Sequence, residues 1–250
     1  MPDTGPIGVS VVIPLRDESA NVVPLFHELR DVLARLPVSW EVILIDDGSR
    51  DDTFAKSADL HRTDAHVRVI RFSRNFGQTA AFAAGFAAAR GKRIVTMDGD
   101  LQNDPADIPR LLQLAEHHDI VCGWRRHRQD AFLTRHVPSV VANVLLGLVS
   151  GVRVHDNGCS LKVFRADVIK ALNLRPGMHR YLPALASQLG GRVTETEVNH
   201  RPRRYGQSKY GLSRTFRVVA DLVHLRTLMR QAIDPATPRV ALYEVAETRG

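Results

Sequence analysis

Residues 94–105 read IVTMDGDLQNDP, a β-branched, apolar run that drives straight into Asp98, Asp100 and Asp104. Carboxylates that close repel one another, so the pattern costs stability unless a cation or a solvent-filled cleft lies beside them. A short apolar run bounded by turn residues reads as a buried strand, which puts the acids at its carboxyl end. Residues 41–49, EVILIDDGS, repeat the arrangement with Asp46 and Asp47. Ligands of a doubly wound sheet bind at the carboxyl ends of its strands, so the two acidic clusters are expected to share one crevice.

Outward from these two stretches, segments 10–15, 41–45, 67–72, 93–97 and 119–122 read as strands. Apolar residues recurring at helical spacing over 22–36, after a cap at Ser19, predict a helix between the first two. Helices over 51–62, from Gly77 through the Ala-rich GQTAAFAAGFAAARG, and over 106–117 fill the other gaps. This alternation predicts an α/β fold, a Rossmann-type, mostly parallel sheet flanked by helices. The second half is less regular. RVHDNGCSLKVFR, 153–165, predicts a turn and a strand followed by a helix from Ala166, 192–198 alternates like a strand, and 212–230 carries an apolar helix face beside arginines. The expected layout is one domain over 1–235, with halves 8–123 and 124–235, and an unorganised, disordered tail over 236–250.

A hydrophobic share of 44% and a charged share of 24% are those of an ordinary soluble protein. The net charge of +7 is unevenly spread: 192–230 holds nine Lys or Arg against three acids, and 125–135 four arginines against one acid. Such clusters suit phosphates or acidic lipid surfaces. Aromatic residues, 6% of the chain, are not interleaved with the basic ones, so no nucleic-acid partner is expected. Cys122 and Cys159 read as buried thiols in a reducing compartment. The first ten residues lack a signal-peptide pattern, which predicts a cytoplasmic protein. The longest apolar run, 137–152, contains Pro, Ser, Asn and Gly and suits a buried or interfacial segment better than a span.

Aspartates at i and i+2 on a strand end supply oxygen ligands for Mg²⁺ or Mn²⁺, and Gln102 adds a third oxygen. Asp51 and Asp52 read as turn and capping residues, whereas Asp46 and Asp47 sit close enough to the strand end to accept hydrogen bonds from a nucleobase or ribose. The sequence has no G-x-G-x-x-G after a strand, no P-loop and no zinc spacing.

Taken in order, VVIPLRDE, ILIDDGSRDDT, FSRNFGQTAAFAAGF, DGDLQNDP, DNGCSLKVFR and RRYGQSKYG resemble the family-2 glycosyltransferases that use polyprenyl phosphate acceptors, the group containing dolichyl-phosphate mannose synthase. The resemblance covers about residues 8–215. It implies a GT-A fold with a smaller acceptor-side half, a nucleotide-diphosphate sugar donor, Mg²⁺ or Mn²⁺, and inverting transfer to a polyprenyl phosphate. By position, Pro14, Glu18, Asp46 and Asp47 would hold the nucleoside, and Asp98, Asp100 and Gln102 the metal and diphosphate. Arg125, Arg135 and Ser139 would face the lipid phosphate, Asp156 would lie near the sugar, and Arg203 and Lys209 would close over the phosphates. Asp156, Arg125 and Asp100 are therefore the candidate catalytic residues.

The chain departs from the family pattern at Arg16, where an aromatic residue is common, and at Cys159 of DNGCS. None of the C-terminal transmembrane helices of many relatives is expected from these residues, so contact with the cytoplasmic face of the membrane would fall to 137–152 and 212–230, or to a membrane protein partner; an oligomer is also compatible. Two alternatives stay open: transfer to a saccharide or another soluble hydroxyl, for which Asp156 would be the base, and a catalytically silent subunit of a membrane protein.

Overall fold

The computed structural model describes residues 6–126, 147, 151–152, 154–203 and 225–250. Arg135, Ser139, Lys209, nearly all of 137–152 and much of 212–230 lie outside the described residues.

The first half follows the alternation: β1 Val9–Leu15, α1 Val22–Leu33, β2 Trp40–Asp46, α2 Thr53–Thr63, β3 Val67–Phe72, α3 Gln78–Ala88 and β4 Arg93–Thr96. A 3₁₀ turn at Pro105–Asp107 leads into α4 Ile108–Leu114, then β5 Ile120–Trp124. The second half contributes β6 Lys162–Arg165, α5 Ala166–Ala171, a 3₁₀ turn at Met178–Tyr181, α6 Leu182–Gln188, β7 Val193–Glu197, α7 Leu225–Ile233 and β8 Val245–Arg249.

The described strands form one sheet in the order β7-β5-β6-β4-β1-β2-β3-β8. β2, β3 and β4 extend in parallel from β1, so the strand order reverses between β1 and β4, where an α/β sheet opens a crevice at its carboxyl edge. β1 and β2 are buried on both faces, as the unbroken apolar runs require. One core lies under α3 and the other under α1. Helix α3 packs tightly because Gly85 leaves room for Val12: a Cβ there would lie 2.2 Å from Val12 Cγ1.

The second half departs from a simple parallel succession. β6 inserts antiparallel between β4 and β5, and β7 adds parallel to β5. The reversal has a consequence for position. Thr96 of β4 faces Lys162 at the start of β6, so the residues just before β6, Asp156 included, arrive at the carboxyl edge. β5 and β7 run the same way as β4, so Arg125 and the segment after Glu197 arrive there too.

Two expectations are corrected. The end of the tail is organised, because Val245–Arg249 pairs antiparallel with the open edge of β3 and satisfies backbone groups that would otherwise face solvent. Ser19 does not cap α1: its N–H donates to Asp51 Oδ2 at 3.1 Å, and Asn21 is the residue before the helix. Asp51 behaves as a capping residue, accepting the Thr53 N–H at 3.0 Å. Both thiols are free and buried.

Candidate active site

Polar groups converge on the carboxyl edge from six segments. After β1, Asp17 takes φ +49, a left-handed conformation that Asp tolerates. Its N–H donates to Ser49 Oγ at 2.9 Å and its Oδ1 accepts the Arg50 N–H at 2.8 Å, lacing the exits of β1 and β2 together. Glu18 is held by its N–H on Thr53 Oγ1 at 2.8 Å and by Asn21 Nδ2 on its carboxylate at 2.6 Å. Pro14 lies in β1 opposite Ile45.

The two acids at the end of β2 have different surroundings. Asp46 is fully buried; Oδ1 accepts the Ser49 N–H at 3.3 Å, while Oδ2, 3.7 Å from Arg71 Nε, receives no hydrogen bond. Burial pushes its carboxyl up, against the pull of Ser49 and Arg71. Asp47 instead gathers the loop before α3: Asn75 Nδ2 at 2.7 Å, the Phe76 N–H at 2.7 Å, and the Gly77 N–H at 3.0 Å. Its oxygens serve the fold, so of this pair it is the loop anchor and Asp46 the one with an unpartnered oxygen.

The acidic turn after β4 is strained. Leu101 is buried at φ +63, which a bulky side chain rarely adopts, and strain of this kind persists where the surroundings enforce it. Asp98 Oδ1 accepts Gln78 Nε2 at 2.8 Å, and the Asp98 N–H donates to Asn103 Oδ1 at 3.3 Å. Burial, then the like charge of Asp98, push the Asp100 carboxyl up to about 6, with Arg203 opposing and Glu18 adding to the rise. The three acids thus feel one another across the β1–β4 crevice.

Arg203 meets this turn directly. Its guanidinium reaches Asp100 Oδ2 at 2.6 Å and Gln102 Oε1 at 3.3 Å. The segment that carries it is anchored by Arg201, which bridges Glu28 at 2.5 Å and Asp104 at 2.6 Å, and by the Arg201 N–H on the Gln102 carbonyl at 2.8 Å.

Across the crevice Arg125 and Asp156 form a two-pronged pair, Nε to Oδ2 at 2.7 Å and Nη2 to Oδ1 at 3.0 Å, with the Arg125 N–H also on Oδ2 at 3.3 Å. Their side chains are 10% and 11% exposed. Burial would raise Asp156, but the Arg125 hydrogen bonds and charge and the nearby Lys162 outweigh it and hold the carboxyl below its ordinary value. Burial would lower Arg125, but Asp156 more than offsets it and the guanidinium is raised; Asp98 also contributes, so it lies within electrostatic reach of the pair.

The structure therefore brings Glu18, Asp98, Asp100, Gln102 and Arg203 together, with Arg125 and Asp156 alongside. Gln78 and Arg201 were not singled out from the sequence. Gln78 lies inside FSRNFGQTAAFAAGF, where only the preceding glycine hints at a special turn, and Arg201 is one arginine in a basic run.

The oxygens fit a divalent cation of the Mg²⁺ or Mn²⁺ kind. They are hard donors, two of them are carboxylates whose mutual charge already raises one, and a cationic guanidinium stands against Asp100 and Gln102. Among the described residues no group of three or more His, Cys, Asp or Glu forms a metal cage. Among the described residues no helix is long and apolar enough to cross a membrane.

Known proteins resemble the chain in sequence and in fold. Residues 10–172 match the family described as Glycosyl transferase family 2. The chain is 44% identical over 232 residues to a dodecaprenyl-phosphate galacturonate synthase of Rhizobium johnstonii, covering 91% of this chain and 69% of that protein. It is 38% identical to an undecaprenyl-phosphate 4-deoxy-4-formamido-L-arabinose transferase of Aeromonas hydrophila, covering 88% and 68%. Among solved structures it superposes on glucosyl-3-phosphoglycerate synthase from Mycobacterium tuberculosis in complex with Mn²⁺ and UDP-glucose, with TM-score 0.68 and 20% identity over 88% of this chain and 79% of that one. At that identity the likeness concerns the fold, which is GT-A.

Proposed function

The chain belongs to glycosyltransferase family 2 and is an enzyme of the transferase class, and from that premise we propose that it moves a sugar from a nucleotide-diphosphate donor to a polyprenyl phosphate with inversion. Both relatives described above are named for polyprenyl-phosphate products. The observation that carries the acceptor class is the Arg125–Asp156 pair. A hydroxyl acceptor needs a base, and Asp156 is a poor one: both its oxygens are engaged and its carboxyl is held low. A phosphate monoester is already anionic near neutrality, with its second ionisation near about pKa 6, so alignment replaces deprotonation.

Each residue then has a task. Asp98, Asp100 and Gln102 would hold Mg²⁺ or Mn²⁺, which when bound stabilises charge on the leaving diphosphate. Glu18, Pro14 and Asp46 line the nucleoside side, while Asp47 holds the loop behind it. Arg203 is held against Asp100, from where its guanidinium can exchange onto the donor diphosphate. Arg125 keeps Asp156 in place beside the sugar and offers its remaining N–H groups to the acceptor. Arg135, Ser139 and Lys209 belong to the acceptor side of the same proposal by sequence position. The basic segments, together with the polyprenyl substrate, support peripheral association with the cytoplasmic membrane face.

The test is nucleoside-diphosphate release from UDP- and GDP-sugars, with and without polyprenyl phosphate, in Mn²⁺, Mg²⁺ or EDTA. Release that needs lipid and metal, and that Asp100→Asn abolishes, is the expected outcome. Release that is indifferent to the lipid would sink the acceptor assignment.

A further inference from the structure

We infer that Gln78 is a positioning residue for the Asp98 carboxylate, kept in register by Asp47 through the loop of Asn75, Phe76 and Gly77. The inference rests on the proposed role of Asp98 as a metal ligand. It links two acidic motifs that the sequence presents as separate.

The chain of contacts is continuous. Asp47, 5% exposed at the end of β2, accepts hydrogen bonds from Asn75 Nδ2 and from the Phe76 and Gly77 N–H groups. These groups can all face one carboxylate because Gly77 adopts φ +91, ψ 165, a region essentially reserved for glycine. Helix α3 begins at the next residue, so the same turn sets the direction in which Gln78 leaves the backbone. Its Nε2 then donates to Asp98 Oδ1 at 2.8 Å across the crevice. The opposite side of this first helical turn is also pinned: Thr79 Oγ1 accepts the Gly177 N–H at 3.0 Å and pairs with His179 Nδ1 at 2.7 Å.

The chemistry of the donor matters. A Lys or Arg at this place would neutralise Asp98 and compete with a cation. The Gln amide fixes one oxygen of the carboxylate and leaves its charge in place. Hydrogen bonds of this outer kind orient metal-binding carboxylates, and their loss typically weakens metal affinity about 10–100-fold.

The experiment is an EPR titration of the full chain with Mn²⁺, alone and with UDP or GDP, on wild type, Gln78→Met and Gln78→Ser. Met keeps the length and removes the donor; Ser is compatible with a helix start but does not reach Asp98. Nucleotide affinity in EDTA, by calorimetry, is measured on the same samples. The expected result is Mn²⁺ binding about tenfold or more weaker in both variants, with metal-free nucleotide affinity and unfolding temperature held. Equal Mn²⁺ affinity in wild type and variants overturns the role of Gln78 and leaves the metal reading intact. A parallel loss of metal-free nucleotide affinity also overturns it, since the amide would then only shape the loop. Failure of wild type to bind Mn²⁺ under any condition overturns the metal reading and this inference with it.

Discussion

Replacing Asp156 by Asn isolates what the Arg125–Asp156 pair contributes. The substitution keeps the shape of the side chain, removes its charge and turns an amide N–H₂ toward the guanidinium. Arg125 is 10% exposed, so water can replace only part of what the carboxylate supplies. Lys162, 4% exposed, donates to the Asn157 carbonyl at 3.1 Å and to the Cys159 carbonyl, and its charge also acts on Asp156. One acid therefore faces two buried cations. Removing one partner of a buried pair costs about 3–5 kcal/mol, which for a chain of this size lowers the unfolding temperature by about 6–20 °C. The assay is urea unfolding followed by tryptophan fluorescence, which Trp124 beside Arg125 makes locally sensitive. A double variant, Asp156→Leu with Arg125→Met, is expected to recover much of the loss, since an apolar pair leaves no unpaired charge at that point. The sign with pH follows from the lowered carboxyl: its stabilisation is complete above the ordinary value of 3.8 and is lost as pH falls through the lower folded value, where wild type and Asp156→Asn converge. A loss below about 1 kcal/mol, the range of exposed pairs, or a double variant no better than the single one, would refute the reasoning.

Three further outcomes are expected. Glu41, 1% exposed at the amino edge of the sheet, accepts Ser10 Oγ at 2.6 Å, the Arg90 N–H at 2.7 Å and Arg90 Nε at 2.9 Å. Glu41→Gln should lose about 1.5–3 kcal/mol while kcat per folded molecule holds; a fall in kcat at constant stability would contradict its placement far from the chemistry. Burial raises the Glu41 carboxyl but these bonds outweigh it and the net shift is downward, so its stabilisation is present above 4.5 and lost as pH falls through the lowered value, as acid titration of wild type against the variant would read. Gly85→Ala gains about 1 kcal/mol of helix propensity but drives a Cβ to 2.2 Å from Val12 Cγ1, so overpacking of about 1–3 kcal/mol should leave it no more stable than wild type in urea. Arg203→Ala frees Asp100 Oδ2, and should raise the donor KM about tenfold, as loss of one charge-assisted hydrogen bond does, while metal affinity without nucleotide holds or rises; an unchanged KM would remove Arg203 from the donor site.

Much of the first half was legible because it is local. The strand at 67–72 matches β3 residue for residue, and the acids at the ends of the β2 and β4 runs fall where the sequence placed them. What the sequence hid is non-local. Nothing in LKVFR marks it as the antiparallel strand between β4 and β5, since the pairing depends on a return across the sheet rather than on its own pattern. The VAETR strand at 245–249 is too polar and short to read alone; it exists because β3 offers an open edge. The split roles of Asp46 and Asp47 were equally hidden. Adjacent acids look alike in sequence, and only the approach of Asn75, Phe76 and Gly77, 28–30 residues on, makes the second an anchor.

The central claim, that the acceptor is a phosphate carried by a polyprenyl lipid, is tested most directly by label transfer. The enzyme, with Mn²⁺ and the radiolabelled nucleotide sugar that supports diphosphate release, is given polyprenyl phosphate, the same polyprenol without its phosphate, or a soluble saccharide. The account predicts label in the organic phase with the phosphorylated lipid alone, as a mild-acid-labile product of the mass of a polyprenyl-phosphate sugar. Equal transfer to the unphosphorylated polyprenol, or transfer to the saccharide in its place, would contradict it.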